Sequence, residues 1–239
     1  MTSRADLHQL LHHSWSVPVK RAAIIQNELA PYVRLTPLSR RPQVMAGIDF
    51  ARNLNHFFVS IVVMDFRNGK VIEIQSAEGI TSFPDTHGYL AFQIGPLVIQ
   101  AARQLIHEPD LYFINGPGVC HSRLCGIASH IGLRLGKPTV GCTLERQAGH
   151  YDPPGDKEGD YSVVRFMPQA PGVVLRSRAG VNPIFISPGH MVDLLGAIDQ
   201  TMRACLRYRL PEPLRRAHIE AGRFMRQRLA LTKERRASK

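Results

Sequence analysis

Short apolar runs and longer stretches with helical spacing succeed one another along the chain, and their order predicts its architecture. Ala22, Ile25, Leu29 and Tyr32 recur every three or four positions, so Val19 to Tyr32 reads as a helix. Pro37 and Pro42 mark a linker. Val44 to Phe50 is a short apolar strand, and His56 to Phe66 is a longer one rich in Val, Ile and Phe. Arg67-Asn68-Gly69 turns the chain back along Lys70 to Ser76, completing an antiparallel meander of three strands. After a loop over Ser82 to Gly88, a helix is predicted over Tyr89 to Ile106, a buried strand over Leu111 to Ile114, a helix over His121 to Leu135 and a strand over Pro138 to Cys142. That alternation favours a mixed α/β sheet, an antiparallel meander followed by parallel strands and flanked by helices. Sites in such folds sit in the loops at the carboxyl ends of the parallel strands.

Gln147 to Gly159 is polar and rich in Gly and Pro, hence a loop. Ser162 to Phe166 and Gly172 to Arg176 read as a strand pair, and Ile184 to Ser187 as another strand. Two amphipathic helices close the chain. Met191 to Leu206 carries Leu194, Leu195, Ile198, Met202 and Cys205 on one side, and Leu214 to Leu229 carries Leu214, Ala217, Ala221, Phe224 and Met225. There is no internal repeat.

Charge adds an asymmetry. Of the net +11, most falls from Arg203 onward, where twelve Lys and Arg face three Glu. A concentrated basic segment favours polyanions through counterion release, although charge runs are often no more than solvated helix faces. Arg215, Arg216, Arg223, Arg226 and Arg228 are the candidate phosphate contacts. No apolar run approaches the roughly 20 residues that span a membrane, and Met1 to Val17 lacks the apolar stretch of a signal peptide, so no membrane partner and a cytoplasmic location are expected. The four cysteines form no CxxC pair, and reduced thiols are expected. Cys120 and Cys142 fall near one sheet edge, where the alternatives are a nucleophile beside a His or small apolar filler.

Several stretches together resemble the endonuclease V family. They are Gly47-Ile48-Asp49, Asn115-Gly116-Pro117-Gly118 followed by His121, Gly126-Ile127-Ala128-Ser129-His130, Gly136-Lys137-Pro138-Thr139-Val140-Gly141, Leu175-Arg176-Ser177, Asn182 to His190, and Tyr208 to Pro213. Order and spacing fit from about residue 20 to 220. The resemblance implies a ribonuclease H-like fold with a mixed five-stranded sheet, spanning 19–229 between an extension at 1–18 and a basic tail at 230–239. It also implies metal-dependent cleavage of DNA or RNA one nucleotide 3′ of a deaminated purine, chiefly inosine, as in repair. Clustered carboxylates would hold Mg²⁺ or Mn²⁺ for that chemistry.

On the family pattern, Asp49 keeps the first carboxylate, while Ile94 stands where a Glu is expected, Asn115 where an Asp is, and Leu144 where a Lys is. His190 stands at a family position, and it is expected to open a helix, where anions are favoured. The aromatic wedge of the family is here Pro84-Asp85-Thr86-His87-Gly88, with an acid that phosphates should repel. Gly116, Gly118 and His121 match residues that line a pocket for an extruded base. One anionic ligand is too few for an ion that relies on carboxylate charge, so metal binding at Asp49 is expected to be weak or absent and no cofactor is expected, with Mg²⁺ or Mn²⁺ the ion if family activity persists.

Two classes of function remain. One is a pseudoenzyme that binds DNA or RNA through Pro84, Asp85, His87, Gly88, Gly116, Gly118, His121 and the C-terminal arginines. The other is an enzyme: a residual nuclease centred on Asp49, Asn115 and His190, or a repurposed pocket drawing on Asp49, Asp85, His87, His121 or His190. The missing charges favour the first.

Overall fold

The computed structural model describes residues 4–145, 149–169 and 171–237. Gln147, which opens the predicted polar loop, and Lys239 lie outside the described residues. The meander forms as expected: β1 (Val44–Asn53), β2 (His56–Asp65) and β3 (Lys70–Ile80) pair antiparallel, with Asp49 opposite Ser60. β4 (Leu111–Asn115) and β5 (Thr139–Thr143) then add parallel to β1, reached through α3 (Leu90–Ala102) and α4 (Ile127–Leu135). The described strands number eight, as the apolar runs suggest, where the resemblance implied five; β6 (Tyr161–Val163), β7 (Val173–Leu175) and β8 (Ile184–His190) close the sheet antiparallel, in the order β3-β2-β1-β4-β5-β8-β7-β6. A parallel pair needs a crossover, usually helical, and no helix lies between β5 and its partner β8 among the described residues.

Side-chain alternation along β1 sorts the two faces. Ala46 and Ile48 join the core beneath α3 and α4, and Met45 joins the core beneath α5 (Leu194–Ala204). Gly47 and Asp49 share the face of Met45, which α6 (Glu212–Ala237) covers across β1 and β2. The approach is close: a Cβ on Gly47 would lie 2.1 Å from both the carbonyl carbon and the oxygen of Pro213. Leu214, Ala217 and Ala221 are the fully buried residues of α6, so its contact face is built largely from alanines that let the backbones meet.

Several helices are shorter than their periodicity suggests, each for a local reason. α4 begins at Ile127 rather than His121 because Leu124 takes a left-handed conformation, φ +54°, which helical backbone excludes. α5 begins at Leu194 because the Asp193 side chain accepts from the Gly196 amide at 2.7 Å and caps it. His190 is therefore the last residue of β8 and opens no helix. α3 stops at Ala102, and the Glu73 carboxylate then takes the amides of Ile106 and His107. α6 runs the other way: it continues through Ala237 as one helix, with no break at 229.

The N-terminal extension packs on the domain. After α1 (Arg4–Leu11), His13 Nε2 meets His130 Nε2 at 2.7 Å, and Trp15 fills a notch at Gly95, where a Cβ would come within 2.6 Å of its ring. Arg134 donates to the Leu11 carbonyl and lies over the Trp15 ring. Among the described residues, no helix is long and apolar enough to cross a membrane.

The contact at Gly47 makes a prediction. Gly47→Ala forces α6 off β1, and overpacking of this kind typically costs about 1–3 kcal/mol. Chemical denaturation should show a lower midpoint for Gly47→Ala, and an unchanged midpoint would mean that α6 is not seated as described.

Candidate nucleic-acid site

At the carboxyl ends of the parallel strands, β1 and β4 bring Asp49 beside Asn115. Asp49 is buried, and its carboxylate is fully engaged: Oδ1 accepts from the Phe50 amide at 2.7 Å and from Asn115 Nδ2 at 2.8 Å, and Oδ2 accepts from His218 Nδ1 at 3.0 Å. Sequence reasoning missed His218. No motif surrounds it, but it follows Ala217 directly and so flanks the buried face of α6. Its partner, the Asp49 carboxylate, raises its pKa above the ordinary imidazole value.

The donors do not fit the divalent ion that the family implies. Mg²⁺ and Mn²⁺ favour several anionic oxygens. Asp49 supplies one carboxylate, Asn115 turns its amide nitrogen toward it, and His218 brings a proton. Among the described residues, no three or more His, Cys, Asp or Glu side chains gather in a group that could hold a metal. Ile94 is buried in the apolar core with Ile48, Val59 and Val98, and Leu144 is exposed after β5.

His190 sits elsewhere. It pairs with Thr139 at the start of β5, whereas Asn115 pairs with Cys142 near its end, about 10 Å along the strand. Its Nδ1 accepts from the Arg34 amide at 3.3 Å, and burial followed by Arg34 pulls its pKa down to about 4. The structure thus unites Asp49 and Asn115 and leaves His190 apart.

The predicted base pocket is closed. The Gly88 carbonyl accepts from Gln26 Nε2, His121 Nε2 and Arg123 Nη2, each at 3.0 Å, and Arg123 is held in turn by Gln26 Oε1. His121 is buried, and burial followed by Arg123 pulls it down to about 4. The glycines serve packing: a Cβ on Gly116 would lie 2.5 Å from Ile127 Cγ2, and one on Gly118 would lie 1.9 Å from the Pro188 carbonyl oxygen. The cavity beside Gly116 is about 10 Å³, room for about one water. Gln26, also missed, was legible only as a polar residue next to Ile25 on the buried side of its helix.

Pro84 and His87 are exposed on their loop. Asp85 is not the bare acid expected there, because Arg52 Nη1 meets it at 2.7 Å and that hydrogen bond lowers its pKa. The C-terminal arginines are also largely paired. Arg215 and Arg216 both hold Glu212, Arg223 holds Glu220, and Arg228 holds Glu78, while Arg226 forms no ion pair among the described residues. The pairs of Arg216, Arg223 and Arg228 have an exposed guanidinium, and surface pairs are typically worth about 0–1 kcal/mol, whereas Arg215 is largely buried against Glu212 and the Tyr208 ring. The cysteines are all buried, and burial raises their pKa values, Cys120 to about 11, as apolar filler requires.

A mixed sheet with helices on both faces, an acidic residue where the parallel pairing of β1 with β4 ends, and glycine-rich loops nearby define a ribonuclease H-like architecture. The chain belongs to the endonuclease V family: the family model for Endonuclease V matches residues 27–219. An endonuclease V of Dehalococcoides mccartyi is 38% identical over 215 residues, covering 89% of this chain and 96% of that protein. The crystal structure of the Streptomyces avermitilis endonuclease V superposes with a TM-score of 0.85 at 32% identity, covering 90% of this chain and 96% of that one. That of Bacillus subtilis gives 0.82 at 28% identity, covering 95% and 98%.

The buried histidines set the acid response. His121 and His190 titrate lower in the fold than the ordinary 6.5, so their contribution to stability is present above about pH 6.5 and is lost as pH falls toward 4. His218 has the opposite sign: its contribution is whole below 6.5 and fades as pH rises through its raised value. NMR titration of the imidazoles should find His218 above 6.5 in wild type and lower in Asp49→Asn. Equal values in the two proteins would show that the pair does not form.

Proposed function

We propose that this protein holds DNA or RNA on an endonuclease V fold without cutting it by metal-dependent chemistry beside inosine. The observation that supports this is the state of Asp49: its carboxylate is satisfied by Phe50, Asn115 and His218, with no second carboxylate beside it. Isoleucine, asparagine and leucine at 94, 115 and 144, where the family pattern carries Glu, Asp and Lys, support the same reading. Activating a water and covering charge on phosphorus oxygens both require more anionic ligands than remain. Holding nucleic acid requires only positive charge and shape, and α6 supplies the charge.

A second reading, an active enzyme of the family, is favoured by identity to an endonuclease V across nearly that protein's whole length. The two separate on one assay. Oligonucleotides carrying inosine, as DNA and as RNA, should remain intact with Mg²⁺ or Mn²⁺. Cleavage 3′ of inosine that disappears in Asp49→Ala would contradict the binding reading.

Binding itself is tested by salt. Replacing Arg215, Arg216, Arg223, Arg226 and Arg228 with Gln should weaken all sequences alike. For every phosphate that goes unneutralised, the logarithmic salt dependence should flatten by about 0.9 on a duplex and about 0.7 on a single strand. Unchanged affinity and slope would mean that these arginines serve only their own ion pairs.

A further inference from the structure

The N-terminal extension precedes residues 27–219, which match the family model, and a pair of imidazoles fastens it to the domain. The Ser14 carbonyl can only accept, so its 2.8 Å contact with His13 Nδ1 puts the ring proton of neutral His13 on that nitrogen. His13 Nε2 is therefore the acceptor, and His130 Nε2, 2.7 Å away, donates to it. His130 Nδ1 is left as a bare lone pair, buried and without a hydrogen-bond partner among the described residues. The rings of Trp15 and Phe92 flank it, with centroids 4.9 Å and 5.3 Å from that of His130. This arrangement has no place for a further proton. Taken up at His130 Nδ1, it creates a buried N–H with no acceptor, which is costly. Taken up at His13 Nε2, it faces the N–H of His130 unless that proton moves to Nδ1, with the same result. The surrounding charges oppose it as well. Arg134 of α4 donates to the Leu11 carbonyl and lies over the Trp15 ring, and Arg103, just past α3, adds its charge near Arg134. Arg21 of α2 (Val19–Leu29) lines the groove beside His13, and Glu28, the only acid among the described residues lining that groove, is held by Arg21 at 3.3 Å. From α3 the pair meets only the uncharged ring of Phe92, and on α1 the exposed His8 stacks with His12 at 4.1 Å. Burial above all holds both imidazoles of the pair below their ordinary 6.5, and Arg134 adds to it.

We propose that the His13–His130 pair is an acid-released latch, which holds the extension over α3 and α4 at neutral pH and lets it go when the pair takes up a proton. Trp15 leaves with the extension, because it lies two residues after His13 and fills the notch at Gly95. Release bares that notch and the flank of Phe92, so this face of the domain is covered or open according to pH. Each imidazole titrates lower when docked than when free. The latch is therefore whole above about pH 6.5, and below it the docking constant falls by up to about tenfold per pH unit for each proton taken up. The latch does not depend on the nucleic-acid reading.

Trp15 is the sole tryptophan of the chain, so its emission reports the extension. The full chain is titrated from pH 8 to pH 5, above the value of about 4 to which His121 and His190 are lowered. Emission wavelength, acrylamide quenching and far-UV circular dichroism are read together. Intensity alone does not serve, because the His13 ring lies 4.7 Å from that of Trp15 and an imidazolium there quenches indole without any movement. The expected result is a red shift with stronger acrylamide quenching as pH falls from 6.5 to 5, at constant circular dichroism, reversed on return to pH 8. The double variant His13→Gln, His130→Leu has no imidazole to titrate at the latch. Its emission wavelength should be the same at pH 8 and pH 5, whether its extension docks or not. Constant wild-type emission across the range overturns the latch. So does a shift that accompanies loss of circular dichroism, which is unfolding, or one that persists with the same midpoint in the double variant.

Discussion

The close seating of α6 on β1 organises this molecule. Gly47 has no side chain, so Pro213 can lie directly against the strand, and the alanines at 217 and 221 hold the helix there. From that contact the two elements run in step. Two strand residues advance about 6.6 Å, from Gly47 to Asp49, and four to five helical residues advance about the same distance, from Pro213 to His218. The imidazole therefore arrives over the carboxylate because of a missing methyl group two residues earlier.

That arrival completes the hydrogen bonding of Asp49. A buried carboxylate must be paired or protonated. Asp49 is paired three times, by a backbone amide, a side-chain amide and an imidazole, from β1, β4 and α6. These donors occupy lone pairs that a divalent ion would otherwise claim. An aspartate at 115 would place a second charge where Asn115 Nδ2 now stands, 2.8 Å from Asp49, and only a cation or a proton could keep it there. A glutamate at 94 would have to enter a cluster of isoleucine, valine and alanine, at the cost of burying an uncompensated charge. The site is thus self-consistent as it stands, rather than short of one part.

Much of this was legible in the sequence. The Val-, Ile- and Phe-rich runs and the Asn68-Gly69 turn pointed to the meander, and the apolar face of Leu214, Ala217 and Ala221 to the docking of α6. The juxtaposition of Asp49 with Asn115 followed from the family pattern, and it arises where β1 and β4 run parallel. What the sequence hid depends on distant contacts. The Asp49–His218 pair joins residues 169 positions apart, and nothing local to His218 announces it. The pocket expected at Gly116 and Gly118 is closed because Ile127 and Pro188 fill the space that their missing side chains leave. The bare acid expected at Asp85 is neutralised by Arg52 across 33 positions. The antiparallel limb formed by β8, β7 and β6 was obscured because short apolar strands carry no mark of direction.

On this reading protein donors, rather than a metal ion, satisfy the Asp49 carboxylate. Calorimetric titration of the wild-type protein with Mn²⁺ near pH 7.5 tests it most directly. No saturable heat is expected up to millimolar Mn²⁺. Stoichiometric micromolar binding that disappears in Asp49→Ala would contradict it.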